Sequence, residues 1–126
     1  MKVRWNSSSV RLRITPTELE SMVKGGTVRE ELALPGGGRW VVQVRPAEGQ
    51  TALTSEGDVL TLALSRPDAE RLAAPDAEGV YFHEAGLRYL IEKDFPCVHP
   101  RASHAEESPT ETFAPPEGFE ARKGVA

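Results

Sequence analysis

The chain has 126 residues, of which 39% are hydrophobic and 27% are charged, so it is large and apolar enough to bury the core of one domain. Its formal net charge of -4 argues against a dedicated nucleic-acid binder, because such proteins need a surplus of lysine and arginine. The one cysteine, Cys97, cannot form an internal disulfide, and the sequence has neither a signal-peptide pattern nor an apolar run that would span a bilayer. We therefore expect a cytoplasmic protein without a membrane partner.

The first half of the chain has the pattern of a strand, a capped helix and further strands. Apolar residues alternate with arginines from Val10 to Ile14, which predicts a half-buried strand. Thr15-Pro16-Thr17-Glu18 matches a capping box with proline at the first helical position, so we expect a helix that ends at Gly25-Gly26. Strands are predicted at 27–34 and 39–45, a short strand at 50–54 and a hairpin turn at 55–58.

The same order begins again in the second half. Leucines alternate with small residues over 60–64, Ser65-Arg66-Pro67-Asp68 repeats the capping pattern, and Ala74-Pro75-Asp76 ends the second helix. Further strands are predicted at 79–84 and 87–93, with a last short strand at 95–99. Matching positions such as Leu12 and Leu62 lie about 50 residues apart. Two explanations stay open: an internal repeat, or a likeness that arises because few residue types cap helices.

These patterns predict an α+β fold. We expect a mostly antiparallel curved sheet or barrel, because hairpin turns join most neighbouring strands. It would be built from two pseudo-repeated β-α-β-β(-β) units, at about 8–54 and 58–99, with two short helices and an extended C-terminal tail.

The predicted domain boundary lies near residue 99, where the composition changes. Residues 1–99 would form a single α+β domain, and residues 100–126 would form an acidic, proline-rich tail. Such a tail is typically mobile; the alternative is that Phe113 and Phe119 dock it in a groove.

Two motifs resemble a family of small bacterial proteins of unknown function. They are the opening Arg11-Leu12-Arg13-Ile14-Thr15 and the stretch Ile91-Glu92-Lys93-Asp94-Phe95-Pro96-Cys97, which an acidic tail follows. The resemblance covers most of the chain and implies a compact bacterial cytoplasmic domain. It implies no activity and no catalytic residues, so functional candidates must come from the side chains themselves.

Arginines on or beside predicted strands form the first candidate site. They are Arg11, Arg13, Arg39 and Arg88. On adjacent strands they would form a basic patch for an anionic small molecule or an acidic peptide, because guanidinium groups bind carboxylates and phosphates bidentately. The alternative is ordinary cross-strand pairing with Glu30, Glu84 and Glu92.

A metal site around the last predicted strands is the second candidate. Its residues are His83, Glu92, Asp94, Cys97 and His99. Cys97 and His99 face the same way in an extended chain, and His83 or Asp94 would add a further ligand for zinc or another transition metal. Cys-x-His is not a standard zinc spacing, however, and no second cysteine exists. No catalytic residue is assigned, and no cofactor is expected.

Two functional hypotheses from different classes follow. The first is a non-enzymatic binding or interaction module that uses the arginines, with a homodimer formed through exposed strand edges. In that reading Trp5, Trp40, Phe82 and Tyr89 are core or subunit-contact residues. The second is a small metal-dependent enzyme built on the second candidate site.

Overall fold

Residues 1–95 are the part of the chain that this computed structural model describes. Their elements in chain order are β1 (Lys2–Trp5), β2 (Ser9–Ile14), α1 (Pro16–Val23), β3 (Val28–Ala33), β4 (Arg39–Pro46), β5 (Ala52–Glu56), β6 (Val59–Leu64), α2 (Arg66–Ala73), β7 (Gly79–Glu84) and β8 (Leu87–Lys93). The predicted tail, the domain boundary near residue 99 and most of the short strand at 95–99 lie outside these residues and stay predictions.

The strands form two four-stranded sheets, which confirms the α+β class and the mostly antiparallel pairing. The first sheet has the order β1-β2-β8-β7 and the second has the order β3-β4-β6-β5. Each sheet consists of two antiparallel hairpins whose inner strands pair in parallel, β2 with β8 in the first sheet and β4 with β6 in the second. The single curved sheet or barrel that we expected is therefore replaced by two separate sheets.

The helices explain this division into two sheets. α1 leads from β2 in the first sheet to β3 in the second, and α2 leads from β6 in the second sheet to β7 in the first. Each sheet thus combines one hairpin from either half of the chain. The predicted strand at 50–54 is β5, which forms a hairpin with β6 and so belongs with the second half. β1 was not predicted, although Lys2 and Arg4 alternate with Val3 and Trp5 in it.

The core contains buried apolar side chains from both sheets and both helices. Of the alternating residues predicted to be inside, Leu12, Ile14, Leu62 and Leu64 are buried, and Leu60 is partly buried against the core. Ile91 of β8 is also buried. Tyr89 is also buried and stacks on Phe82, with ring centroids 5.2 Å apart.

Trp40, for which we expected a core or a subunit-contact position, lies outside the core, because 41% of it is exposed. Its ring lies against that of Trp5, with centroids 5.8 Å apart. Trp5 belongs to β1 and Trp40 to β4, so this aromatic contact joins the two sheets at the surface.

Both predicted helix caps form, but the second differs in detail. In the first, the Thr15 and Glu18 side chains each accept a hydrogen bond from the other residue's backbone N–H, as in a complete capping box. In the second, the Asp68 backbone N–H donates to Ser65 Oγ at 3.2 Å, whereas the Ser65 N–H donates to Thr51 Oγ1 at 2.8 Å. Thr51 Oγ1 donates in turn to the Asp68 carboxylate, so a residue outside the motif completes the cap.

The N-terminal ammonium group is bound to the first helix cap. Met1 N lies 2.7 Å from Glu18 Oε2 and 3.1 Å from Glu30 Oε1. Burial acts to raise the pKa of Glu18, but hydrogen bonds from the ammonium group and from Thr15 outweigh it and lower that pKa. Burial likewise acts to lower the pKa of the Met1 ammonium group, and its two carboxylate partners raise it overall.

We expect Glu18→Gln to lower the free energy of unfolding by about 1–2 kcal/mol near neutral pH, because glutamine can still cap the helix but cannot pair with the ammonium group. The lowered pKa of Glu18 means that its stabilisation is present above the ordinary glutamate pKa and is lost as the pH falls through the lowered value. The raised pKa of Met1 means that its stabilisation is lost as the pH rises through that raised value. Urea unfolding at several pH values should therefore show the largest difference between wild type and variant at about pH 5–7.

Glu20→Gln is the matched control for this measurement. Glu20 lies on the same helix, and its one ion pair within residues 1–95 is a solvent-exposed i,i+4 contact of 2.9 Å with Lys24. Its substitution should change stability little at any pH. An equal loss of stability for Glu18→Gln at acidic and neutral pH would contradict the proposed ion pair.

Candidate functional site

One face of the first sheet carries a concentration of positive charge. The apolar residues of β2 point into the core, so the residues between them point outward, together with alternate residues of the neighbouring strands. We call this surface the cationic face; its basic residues are Lys2, Arg4, Arg11, Arg13 and Arg88. Arg4 lies opposite Arg11 in the β1–β2 pairing, and Lys2 lies opposite Arg13. Three of the four predicted arginines therefore share one surface.

Glu92 is the carboxylate that lies among these arginines. Arg13 Nε donates to Glu92 Oε1 at 2.9 Å, and Arg11 Nε lies 3.5 Å from the same oxygen. The Glu92 side chain is 17% exposed, and it pairs across the sheet with Arg13 on one side and Gly79 on the other. The expected cross-strand pairing with Glu92 is thus observed.

The other acidic residues proposed as arginine partners have different contacts. Glu30 binds the Met1 ammonium group at 3.1 Å, and Glu84 accepts a hydrogen bond from Tyr89 Oη at 3.4 Å. Burial and the nearby Glu84 carboxylate raise the pKa of Tyr89.

Within residues 1–95, two carboxylates pair with basic residues of the cationic face. Asp94 follows β8 and lies 3.0 Å from Lys2 Nζ, so Glu92 and Asp94 offset part of the five basic charges. Arg88 is exposed, and no ion pair joins it to another residue in the range 1–95. The five basic residues of this face thus outnumber the acidic residues in the range 1–95 that pair with them, whereas the whole chain has a formal net charge of -4.

Arg39, the fourth predicted arginine, lies apart from the other three. It belongs to β4 in the second sheet, and its Nη1 donates to Glu31 Oε1 at 3.3 Å, with both side chains about half exposed. α1 separates β2 from β3 and β4, which places Arg39 on a different sheet from Arg11 and Arg13. Sequence reasoning also missed Lys2 and Arg4, although their alternation with Val3 and Trp5 was a visible signal of a strand.

The residues of the predicted metal site are divided between the described part of the chain and the rest. Glu92 is engaged by two arginines, Asp94 is engaged by Lys2, and His83 is an exposed residue of β7. Within residues 1–95, no group of three His, Cys, Asp and Glu side chains is placed to hold a metal ion. Cys97 and His99 lie outside that range, so the metal site stays a prediction.

The fold and this face define a small α+β protein with two four-stranded sheets, one of which presents a cationic outer surface. The chain belongs to DUF7009, a family of unknown function, whose family model matches residues 1–116. This match confirms the expected membership of a family of unknown function, while the two motifs on which we based it stay a prediction. No curated protein and no solved structure matches the chain.

Neither helix in the described range could cross a membrane. Both α1 and α2 contain eight residues, which is too short to span the hydrocarbon layer.

Gly79 lies next to Glu92 and leaves no room for a side chain. A Cβ atom at Gly79 would come within 2.8 Å of the Ile91 carbonyl oxygen and 2.8 Å of Glu92 Cβ. Contacts this short require the backbone of β8 to move, so the glycine permits the close approach of β7 and β8.

We expect Gly79→Ala to lower the free energy of unfolding by about 1–3 kcal/mol in urea denaturation, since strand β8 must shift to accept the methyl group. Gly49→Ala is the control, because a Cβ atom there meets no heavy atom within 4 Å. That variant should keep wild-type stability or gain slightly. Equal stability of the two variants would show that β7 and β8 are not packed as closely as described.

Proposed function

We propose that this protein is a binding module that holds an acidic peptide segment on its cationic face. The observation that carries the proposal is the contact of one carboxylate oxygen, Glu92 Oε1, with both Arg11 and Arg13. A carboxylate of the chain itself thus already lies between two guanidinium groups of this surface. A ligand carboxylate would use the same chemistry at the arginines around it.

The shape of the surface favours an extended ligand. Alternate residues of a strand project from one face at intervals of about 6.8 Å, and neighbouring strands lie about 4.8 Å apart. Arg88 lies opposite Ser9 of β2, and Arg13 lies four residues after Ser9 on the same outward face. An extended peptide presents its alternate side chains at the same interval, so its glutamates would be spaced to reach both Arg88 and Arg13.

Glu92 would compete with such a ligand. It neutralises part of the charge of Arg11 and Arg13, whereas Arg88 has no acidic partner in the described range. We therefore assign first contact to Arg88 and expect Glu92 to reduce the affinity for other carboxylates.

The proposal extends to a cytoplasmic protein with an internal repeat that forms a homodimer. The two strand orders become the same when β1 and β2 are replaced by β5 and β6, and β7 and β8 by β3 and β4, which supports a repeat. β1 and β7 in the first sheet, and β3 and β5 in the second, are edge strands whose outer backbone groups offer a place for a second copy.

We expect a fluorescein-labelled hexaglutamate peptide to bind the wild-type protein at low salt and to dissociate at about 0.5 M salt, as measured by fluorescence anisotropy. Arg88→Glu should raise the Kd about tenfold, because reversal of the charge removes an attraction and adds a repulsion of similar size. Glu92→Gln should lower the Kd, because it removes the competing carboxylate.

Arg29→Glu is the matched control, since Arg29 is a partly exposed cation of the second sheet and undergoes the same change of charge. Equal weakening by Arg88→Glu and Arg29→Glu would show only a response to net charge and would contradict a defined site. Complete competition by inorganic phosphate at a concentration matched to the peptide would point to a small-anion site and would overturn the peptide proposal.

A further inference from the structure

A cleft of about 500 Å³ is lined by residues from both halves of the chain, none of which belongs to the cationic face. It is bounded by the end of α1 and the turn after it, by α2, and by the last residues of β4 and β6. This volume is in the range of sites that bind small molecules.

The floor of the cleft is apolar. Val44 and Leu64 are almost wholly buried at its base, and Met22 closes it from α1. On α2 the lining residues Ala69 and Ala73 are small, so the cleft stays wide between the helix and the strands. An alkyl chain placed here would remove apolar surface from water, which favours binding.

The corresponding position in the first sheet shows why this cleft is open. Lys93 is the last residue of β8 that pairs with β2, and it lies opposite Ile14. Pro46 is the last residue of β4 that pairs with β6, and it lies opposite Leu64, so Lys93 and Pro46 occupy corresponding positions in the two sheets. Lys93 Nζ reaches the end of α2 and donates to the Ala74 carbonyl oxygen at 2.7 Å. Proline has no side chain that could make such a contact, so the space beside Pro46 and the end of α1 is left for a ligand.

The rim of the cleft carries a net positive charge. Its cations are Arg45, Arg66 and Lys24, of which Lys24 pairs with Glu20 at 2.9 Å, and its acidic lining residue is Glu70. Arg66 pairs with Glu70 at 3.3 Å in an exposed i,i+4 contact, and contacts of this kind contribute little to stability. Arg45 is exposed, and no ion pair joins it to another residue among the first 95.

We propose that this cleft binds an alkyl carboxylate, with the chain on Met22, Val44 and Leu64 and the carboxylate on Arg45. The positive rim selects the charge of the head group, and the apolar floor binds the chain. This site shares no residue with the cationic face, so either proposal can fail without the other.

Isothermal titration calorimetry with octanoate, and with octylamine as a probe of equal chain length and opposite charge, tests this site. We expect octanoate to bind the wild-type protein and octylamine to bind at least tenfold more weakly. Arg45→Gln should weaken octanoate binding about three- to tenfold through loss of a charge-assisted contact. Arg29→Gln should leave it unchanged, because Arg29 lies on β3, outside the cleft.

Ala73→Trp should abolish octanoate binding by filling the cleft, with retained folding checked by circular dichroism. Should that variant unfold, methyl NMR spectra of the wild-type protein give a second measurement: octanoate should shift the resonances of Met22, Ala69 and Ala73. No binding of octanoate, equal binding of octylamine, or methyl shifts confined to residues outside the cleft would each overturn the proposal.

Discussion

The fold depends on backbone pairing between strands that are distant in the sequence. β2 pairs in parallel with β8, which places Leu12 beside Ile91, and β4 pairs in parallel with β6, which places Val44 beside Leu62. None of these four side chains is more than 1% exposed, so a buried apolar contact joins the two halves at the centre of each sheet. Neither half can complete a sheet alone. The cationic face and the cleft therefore both form only when the two halves fold together.

The parts of the fold that could be predicted from the sequence are those that near neighbours determine. The alternation over 10–14 and the capping box at Thr15 act within a few residues, and both were read correctly. The cap at Ser65 was read only in part, because Thr51 supplies one of its contacts from outside the motif. The division into two sheets was not visible, because local patterns do not determine which hairpin pairs with which inner strand.

Local sequence patterns likewise predicted only part of the candidate site. Alternation alone placed Arg11 and Arg13 on one outward face, and the structure adds Arg88 through the β2–β8 pairing. The separate location of Arg39 required knowledge of the crossover through α1. The contact of both β2 arginines with Glu92 depends on the register of a parallel pair, which no local pattern encodes.

The contact between Trp5 and Trp40 makes the junction of the two sheets optically observable. These are the only tryptophans of the chain, and both rings are partly exposed. Their indole groups belong to different sheets and lie 5.8 Å apart, close enough for their electronic transitions to couple. Intrinsic fluorescence and near-ultraviolet dichroism of this protein will therefore report on the separation of its two sheets.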